Sequence, residues 1–125
     1  MMTYSGESFD TAVEITNQEA KKDAGKPRLT LVPRQIIYDI CKVREFAVDH
    51  KYKDPDNWRK VDVQRYRDAA FRHFMAYLDD PYGNDEESGL PHIFHLATNI
   101  SFLLDLEKDK YHYEVQGHEG SNGGW

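Results

Sequence analysis

Residues 91–108 read Pro91-His92-Ile93-Phe94-His95-Leu96-Ala97-Thr98-Asn99-Ile100-Ser101-Phe102-Leu103-Leu104-Asp105-Leu106-Glu107-Lys108. Ile93, Phe94, Leu96, Ala97, Ile100, Leu103, Leu104 and Leu106 fall at helical spacing and cover nearly the whole circumference of one helix. A helix that is apolar almost all round has to be buried on several sides. The rest of the chain must therefore supply what surrounds it.

Two further helical patterns lie upstream. One starts near Pro33, a residue suited to a first helical turn, and carries Ile36, Ile37, Ile40, Val43, Ala47 and Val48 at helical spacing. It stops before the turn cluster Asp54-Pro55-Asp56-Asn57. The other runs from about Val61 to Leu78, with Tyr66, Ala69, Ala70, His73, Phe74 and Tyr77 on one side, and ends at Asp79-Asp80-Pro81-Tyr82-Gly83-Asn84. No pair of alternating strand-like runs stands out; Leu29-Thr30-Leu31-Val32 reads as a short extended lead-in. The expected fold is all-α, a small bundle of about three main helices spanning residues 21–108. A polar N-terminal segment (1–20) and a Gly-rich flexible tail (109–125) flank it. Three helices give limited core, and the third exposes more apolar surface than two neighbours cover. A homo-oligomer is expected, most simply a two-fold dimer; the alternative is an N-terminal segment folded back over the helix.

The chain has 125 residues, of which 30% are charged and 39% hydrophobic. That length suits one domain. No stretch approaches the roughly 20 apolar residues of a spanning helix, and Met1-Met2-Thr3-Tyr4-Ser5-Gly6-Glu7 lacks the basic and apolar regions of a secretory signal. Cys41 is the single cysteine, which points to a reducing, cytoplasmic setting, and within its helix it reads as a small core residue. A balance of 22 acidic against 16 basic residues argues against a polynucleotide partner. It leaves room for a single nucleotide in a local basic pocket.

Several polar groups are candidates for chemistry. His92, His95 and Asn99 share a face of the third helix, where polar groups must find partners or a ligand. Asp85 and Glu87 stand just before that helix; plain capping is the structural reading, chemistry the functional one. Arg65, Asp68 and Arg72 lie at i, i+3 and i+7 on the second helix, with His73 beside Arg72. An Asp68–Arg72 ion pair is the structural reading there, and a phosphate-binding arginine facing the histidines the functional one. Glu45 and Asp49, one turn apart on the first helix, can hold Mg2+ or simply face solvent. In Lys51-Tyr52-Lys53-Asp54-Pro55-Asp56-Asn57-Trp58-Arg59-Lys60, two aromatics interleave with four basic residues. Tyr52 or Trp58 can stack a base while Lys51, Lys53, Arg59 or Lys60 meets phosphate; alternatively Trp58 anchors the loop in the core. A second basic stretch, Lys21 to Arg28, lacks P-loop spacing.

The order of these motifs carries a resemblance. Asp23-Ala24-Gly25-Lys26-Pro27-Arg28 with Leu31-Val32-Pro33 is followed by Lys51-Tyr52 and Asn57-Trp58-Arg59-Lys60. Then come Asp68-Ala69-Ala70 with Arg72-His73, and Asp85-Glu86-Glu87-Ser88-Gly89-Leu90-Pro91-His92 with His95 and Asn99. This order resembles the phage-associated N-terminal domain of dATP/dGTP diphosphohydrolases, itself akin to the all-α MazG-type nucleotide pyrophosphohydrolases. The resemblance covers about residues 21–107. It implies an oligomeric, Mg2+-using enzyme that cleaves a purine deoxynucleoside triphosphate between the α and β phosphates. A metal-activated water would attack phosphorus while ions and Lys/Arg neutralise charge.

The metal motif departs from the MazG-type pattern of ExxE on one helix and ExxD on the next. Here Glu45 and Asp49 are four apart, and His92, His95 and Asn99 stand where the second acid pair belongs. The metal set implied is Glu45, Asp49 and Asp85, with Glu87 as a further catalytic carboxylate. A second hypothesis follows from the departure: a binder that sequesters a cyclic or ADP-ribose-type nucleotide signal, gripping it with Arg28, Tyr52, Trp58, Arg72 and His92 and using no metal. A helical interaction protein without a small ligand is the third.

Overall fold

The computed structural model describes residue 22 and residues 24–111. The chain divides into a unit of residues 1–32 and a unit of residues 33–125. In the first, Leu29–Leu31 forms a single 3-10 turn. The extended lead-in expected there is thus corrected: Leu31 and Val32 donate backbone N–H groups to Arg28 and Leu29 carbonyls at 3.0 and 3.1 Å, which curls the segment.

The second unit holds α1 (Gln35–His50), α2 (Val63–Asp79), α3 (His92–Leu106) and the short α4 (Lys108–Tyr111). A 3-10 turn at Asn57–Lys60 lies between α1 and α2. Among the described residues there is no strand, only an isolated antiparallel bridge between Asn84 and Pro91. The all-α reading therefore stands, and the three long helices start and stop within two or three residues of their expected limits. Residues 109–111, read as the start of a tail, complete α4; residues 112–125 and 1–21 lie outside the described set.

Local chemistry explains the boundaries. Asp62 caps α2, its carboxylate accepting the Gln64 N–H at 3.0 Å. Pro91 precedes α3, where its missing N–H costs nothing. α1 and α2 each pack against α3 and hardly against each other. The apolar girth of α3 is thus used on two sides, and the divergence of α1 from α2 leaves a cleft floored by α3.

Packing is incomplete in the described residues. Val43 on α1, 7% exposed, is the one buried apolar residue among the described residues. Phe71, Phe74, Met75 and Leu78 on α2 and Ile93, Ile100 and Leu104 on α3 are exposed. Cys41, read from sequence as a core residue, is exposed on α1. Glu107 is buried at the end of α3, and both its oxygens accept from Arg67 Nη2, at 3.2 and 3.1 Å. Among the described residues no helix is long and apolar enough to cross a membrane.

Candidate functional site

The cleft has a volume of about 550 Å3, within the range of small-molecule sites. One wall is α1 and the loop after it, the other is α2, and Thr98, Asn99 and Phe102 of α3 form the floor.

Trp58 is placed by its own local structure. It sits in the 3-10 turn, its carbonyl accepts the Tyr66 hydroxyl at 2.8 Å, and its indole stacks on Phe102 with centroids 4.6 Å apart and planes at 12°. The Arg59 guanidinium lies 4.3 Å from the indole centroid. Two groups this close cannot share a ring face, so both faces are covered. Trp58 is therefore an anchored wall of the cleft, not a free stacking platform. Tyr52, exposed, lines the same cleft, with Lys51 Nζ over one face of its ring at 5.6 Å from the centroid.

The charged residues separate into two sets. Arg59 bonds Asp105 at 3.3 Å and lies 3.6 Å from Asp56; it ties the turn to α3 and does not line the cleft. Lys51 bonds Glu87 at 3.0 Å across the mouth, and this contact raises its pKa above the ordinary value. Arg65 and Arg72 line the cleft from α2, and neither guanidinium has a hydrogen-bond or ion-pair partner among the described residues. The Asp68–Arg72 pair expected from helical spacing is not made. Gln64 Nε2 takes Asp68 instead, at 3.0 Å, because a neighbour one turn before competes for the same carboxylate. Arg65, part of the sequence pattern but not singled out for binding, joins Arg72 because seven residues bring it back to the same face.

At the end of the cleft three histidines meet. His73 Nδ1 lies 3.1 Å from His92 Nδ1, and the His73 ring stacks on His95 with centroids 4.7 Å apart. His95 Nε2 is hydrogen-bonded to Ser88 Oγ at 2.6 Å and lies 3.9 Å from Asp85 Oδ2. Asp85 is aimed by the loop before α3. Its carboxylate accepts the N–H groups of Glu87 and Ser88 at 3.1 and 3.0 Å, and its own N–H bonds the Leu90 carbonyl at 2.8 Å. The turn closes through Gly89 at φ +74°, a conformation glycine alone adopts freely. Ser88 stands between Asp85 and His92, and no local signal marks it as a site residue, because its hydroxyl role depends on a histidine seven residues on.

Burial pushes the His73 and His95 pKa values down; the nearby His95 adds to this for His73, while Asp85 opposes it for His95. For Asp85, burial raises the pKa, but the Ser88 N–H and His95 outweigh it and the net shift is downward. Asn99, 9% exposed, lies on the floor beside this cluster. Its Nδ2 donates to the His95 carbonyl at 2.8 Å, and its Oδ1 has no partner among the described residues.

Glu45 and Asp49 are exposed on α1 and neither lines the cleft. Arg28 belongs to the unit of residues 1–32 and is exposed there. Mg2+ favours carboxylate oxygens and water. The carboxylates lining the cleft are Asp54, Asp85 and Glu87; Asp54 lies 3.5 Å from Lys60 Nζ, and Glu87 is held by Lys51. Among the described residues no group of three carboxylates brings its ligand atoms together. The one grouping of metal-capable side chains among them is His73, Asp85 and His92.

Comparisons with known proteins agree with the motif order. The family model described as dATP/dGTP diphosphohydrolase, N-terminal, matches residues 16–116. A dATP/dGTP diphosphohydrolase of Salmonella phage PMBT28 is 29% identical over 86 residues, which is 69% of this chain and 29% of the phage protein. The chain thus spans under a third of that relative's length. No solved structure matches it.

Proposed function

The chain belongs to the dATP/dGTP diphosphohydrolase N-terminal family, and from that premise we propose that its cleft binds a purine deoxynucleoside triphosphate and serves its cleavage to the monophosphate and pyrophosphate. The observation that supports this most is the pair Arg65 and Arg72, two guanidinium groups lining a cleft without partners among the described residues. Guanidinium forks match phosphate oxygens bidentately, and seven residues of helix separate their backbones by about 10 Å. Tyr52 offers a stacking face and Asn99 Oδ1 a buried acceptor for an exocyclic amine of the base. In this reading Mg2+ enters with the triphosphate, as part of the substrate. The setting proposed is the cytoplasm of a bacterial host, with no polynucleotide or membrane as partner.

A second reading keeps the same cleft but removes the chemistry. Glu45 and Asp49 lie outside the cleft lining and Glu87 is engaged by Lys51, an arrangement that favours retention of a nucleotide over hydrolysis. Under it, the chain sequesters a cyclic or ADP-ribose-type nucleotide used as a defence signal. One experiment separates the two. The purified chain is incubated with dGTP, dATP and a panel of cyclic and ADP-ribose nucleotides with MgCl2, and bound and free species are identified by mass spectrometry. Pyrophosphate release from dGTP or dATP supports the first reading, retention of an intact nucleotide the second, and neither overturns both.

The proposal includes a homo-oligomer. Phe71, Phe74, Met75 and Leu78 form an exposed apolar stripe on α2, in a unit whose described residues bury little apolar surface. A second copy of the chain, meeting this stripe across a two-fold axis, would supply the missing core.

A further inference from the structure

We propose that His73, His92 and Asp85 form a binding site for a first-row divalent transition ion, with Zn2+ as the best-matched member. The three side chains each offer one ligand atom, and these atoms all lie within 4.8 Å of one another. The His73 and His92 Nδ1 atoms are 3.1 Å apart. Nitrogen ligands at about 2.1 Å from one metal lie about 3.0 to 3.4 Å from each other, for angles between octahedral and tetrahedral. The observed separation falls inside that interval without rearrangement. Two imidazoles and one carboxylate suit Zn2+, Co2+ or Ni2+, whereas Mg2+ takes oxygen.

The ligands are held from outside. His73 sits in the middle of α2, with His95 stacked on its ring. His92 is the first residue of α3, and its backbone N–H bonds the Gly83 carbonyl at 3.1 Å. Asp85 is fixed by the Glu87 and Ser88 N–H groups, which leaves lone pairs for a metal. Ser88 in turn bonds His95. Such an outer layer orients ligands and is a hallmark of metal sites. His73 and Asp85 line the cleft, so an ion is reached from solvent through it. Three protein ligands leave coordination positions for water or a substrate oxygen. The site is independent of whether the cleft hydrolyses a nucleotide.

The test uses the full chain, stripped with a chelator and titrated with CoCl2, and reads the visible absorption of protein-bound Co2+. A saturable band is expected, bleached by stoichiometric ZnCl2 and unaffected by a large excess of MgCl2. His73→Ala and His92→Ala should each weaken Co2+ binding by more than about 100-fold, and Asp85→Asn by about 10 to 100-fold. His50→Ala, at the exposed end of α1, should leave it unchanged. Should an alanine variant lose its helical circular dichroism, His73→Gln or His92→Gln replaces it. A folded wild-type chain without a band overturns the proposal, as does a band that survives in folded His73 and His92 variants or is displaced by MgCl2. Binding of dGTP to the chelated chain is measured in parallel, so failure of the metal site and failure of the nucleotide reading are seen separately.

Discussion

Arg72→Ala isolates the contribution of a phosphate contact, because among the described residues the wild-type guanidinium has no partner to be orphaned. The side chain is exposed and lines the cleft, and Asp68 is satisfied by Gln64 at 3.0 Å rather than by Arg72. Its removal from the free protein therefore changes stability by no more than about 0.5 kcal/mol, as for ordinary surface substitutions. In the nucleotide complex, a hydrogen bond to a charged group contributes about 1.5 to 3 kcal/mol. That predicts a Kd for dGTP raised by about 10 to 150-fold. Arg59→Ala is the matched control. It deletes the same group, but one that bonds Asp105 and covers Trp58 outside the cleft lining. Its expected effect is a loss of stability of about 1 kcal/mol or less with a Kd within twofold of wild type. Calorimetric titration gives both constants, and urea unfolding gives both stabilities. The reasoning is refuted if Arg72→Ala binds dGTP within twofold of wild type, or if the two variants lose equal affinity.

Three further outcomes are expected. Gly89→Ala adds a Cβ that meets nothing within 4 Å, so its cost is the φ of +74° alone; urea unfolding should show a loss of about 1 to 2 kcal/mol. His73 and His95 have pKa values lowered in the folded chain, so the unfolded chain binds more protons near the ordinary value of 6.5. Their neutral forms favour folding above that pH, and stability should fall as pH drops through it. Melting of the chelated protein at about pH 7.5 and about pH 5.5 measures this, and His95→Asn should flatten the dependence. Phe71→Asp with Met75→Asp, on the exposed α2 stripe, should convert the assembly to 14.6 kDa monomers in analytical ultracentrifugation; a wild-type chain already monomeric refutes the oligomer.

The helical frame was legible because it depends on near-neighbour spacing. Ile36 to Val48, Tyr66 to Tyr77 and Ile93 to Leu106 each repeat at the helical period, and Asp54-Pro55 and Pro81 interrupt them. The same local rule placed His92, His95 and Asn99 on one face of α3 and Arg65 with Arg72 on one face of α2. It misread the segments where a short-range contact overrides propensity. Leu29–Leu31 curls into a 3-10 turn although its residues favour extension, and Asp68 turns to Gln64 although Arg72 stands at ideal spacing. Cys41 was read as core, yet the face of α1 that carries it is exposed in the described unit.

Sequence by itself determined which residues share a helix face, since 3.6 residues per turn leaves no freedom in that. It could not decide which faces meet, because that depends on how α1 and α2 lean on α3. Only the tertiary structure brought His73 of α2 to within 3.1 Å of His92, nineteen residues away, and set Asp85 beside them through the Gly89 turn. Only it kept Glu45 and Asp49 out of the cleft lining, covered both faces of Trp58, and left Arg65 and Arg72 unpaired among the described residues. The physical reason is the same throughout. Spacing along a chain is a property of covalent geometry, while a site is made by groups from separate helices whose approach is decided by packing.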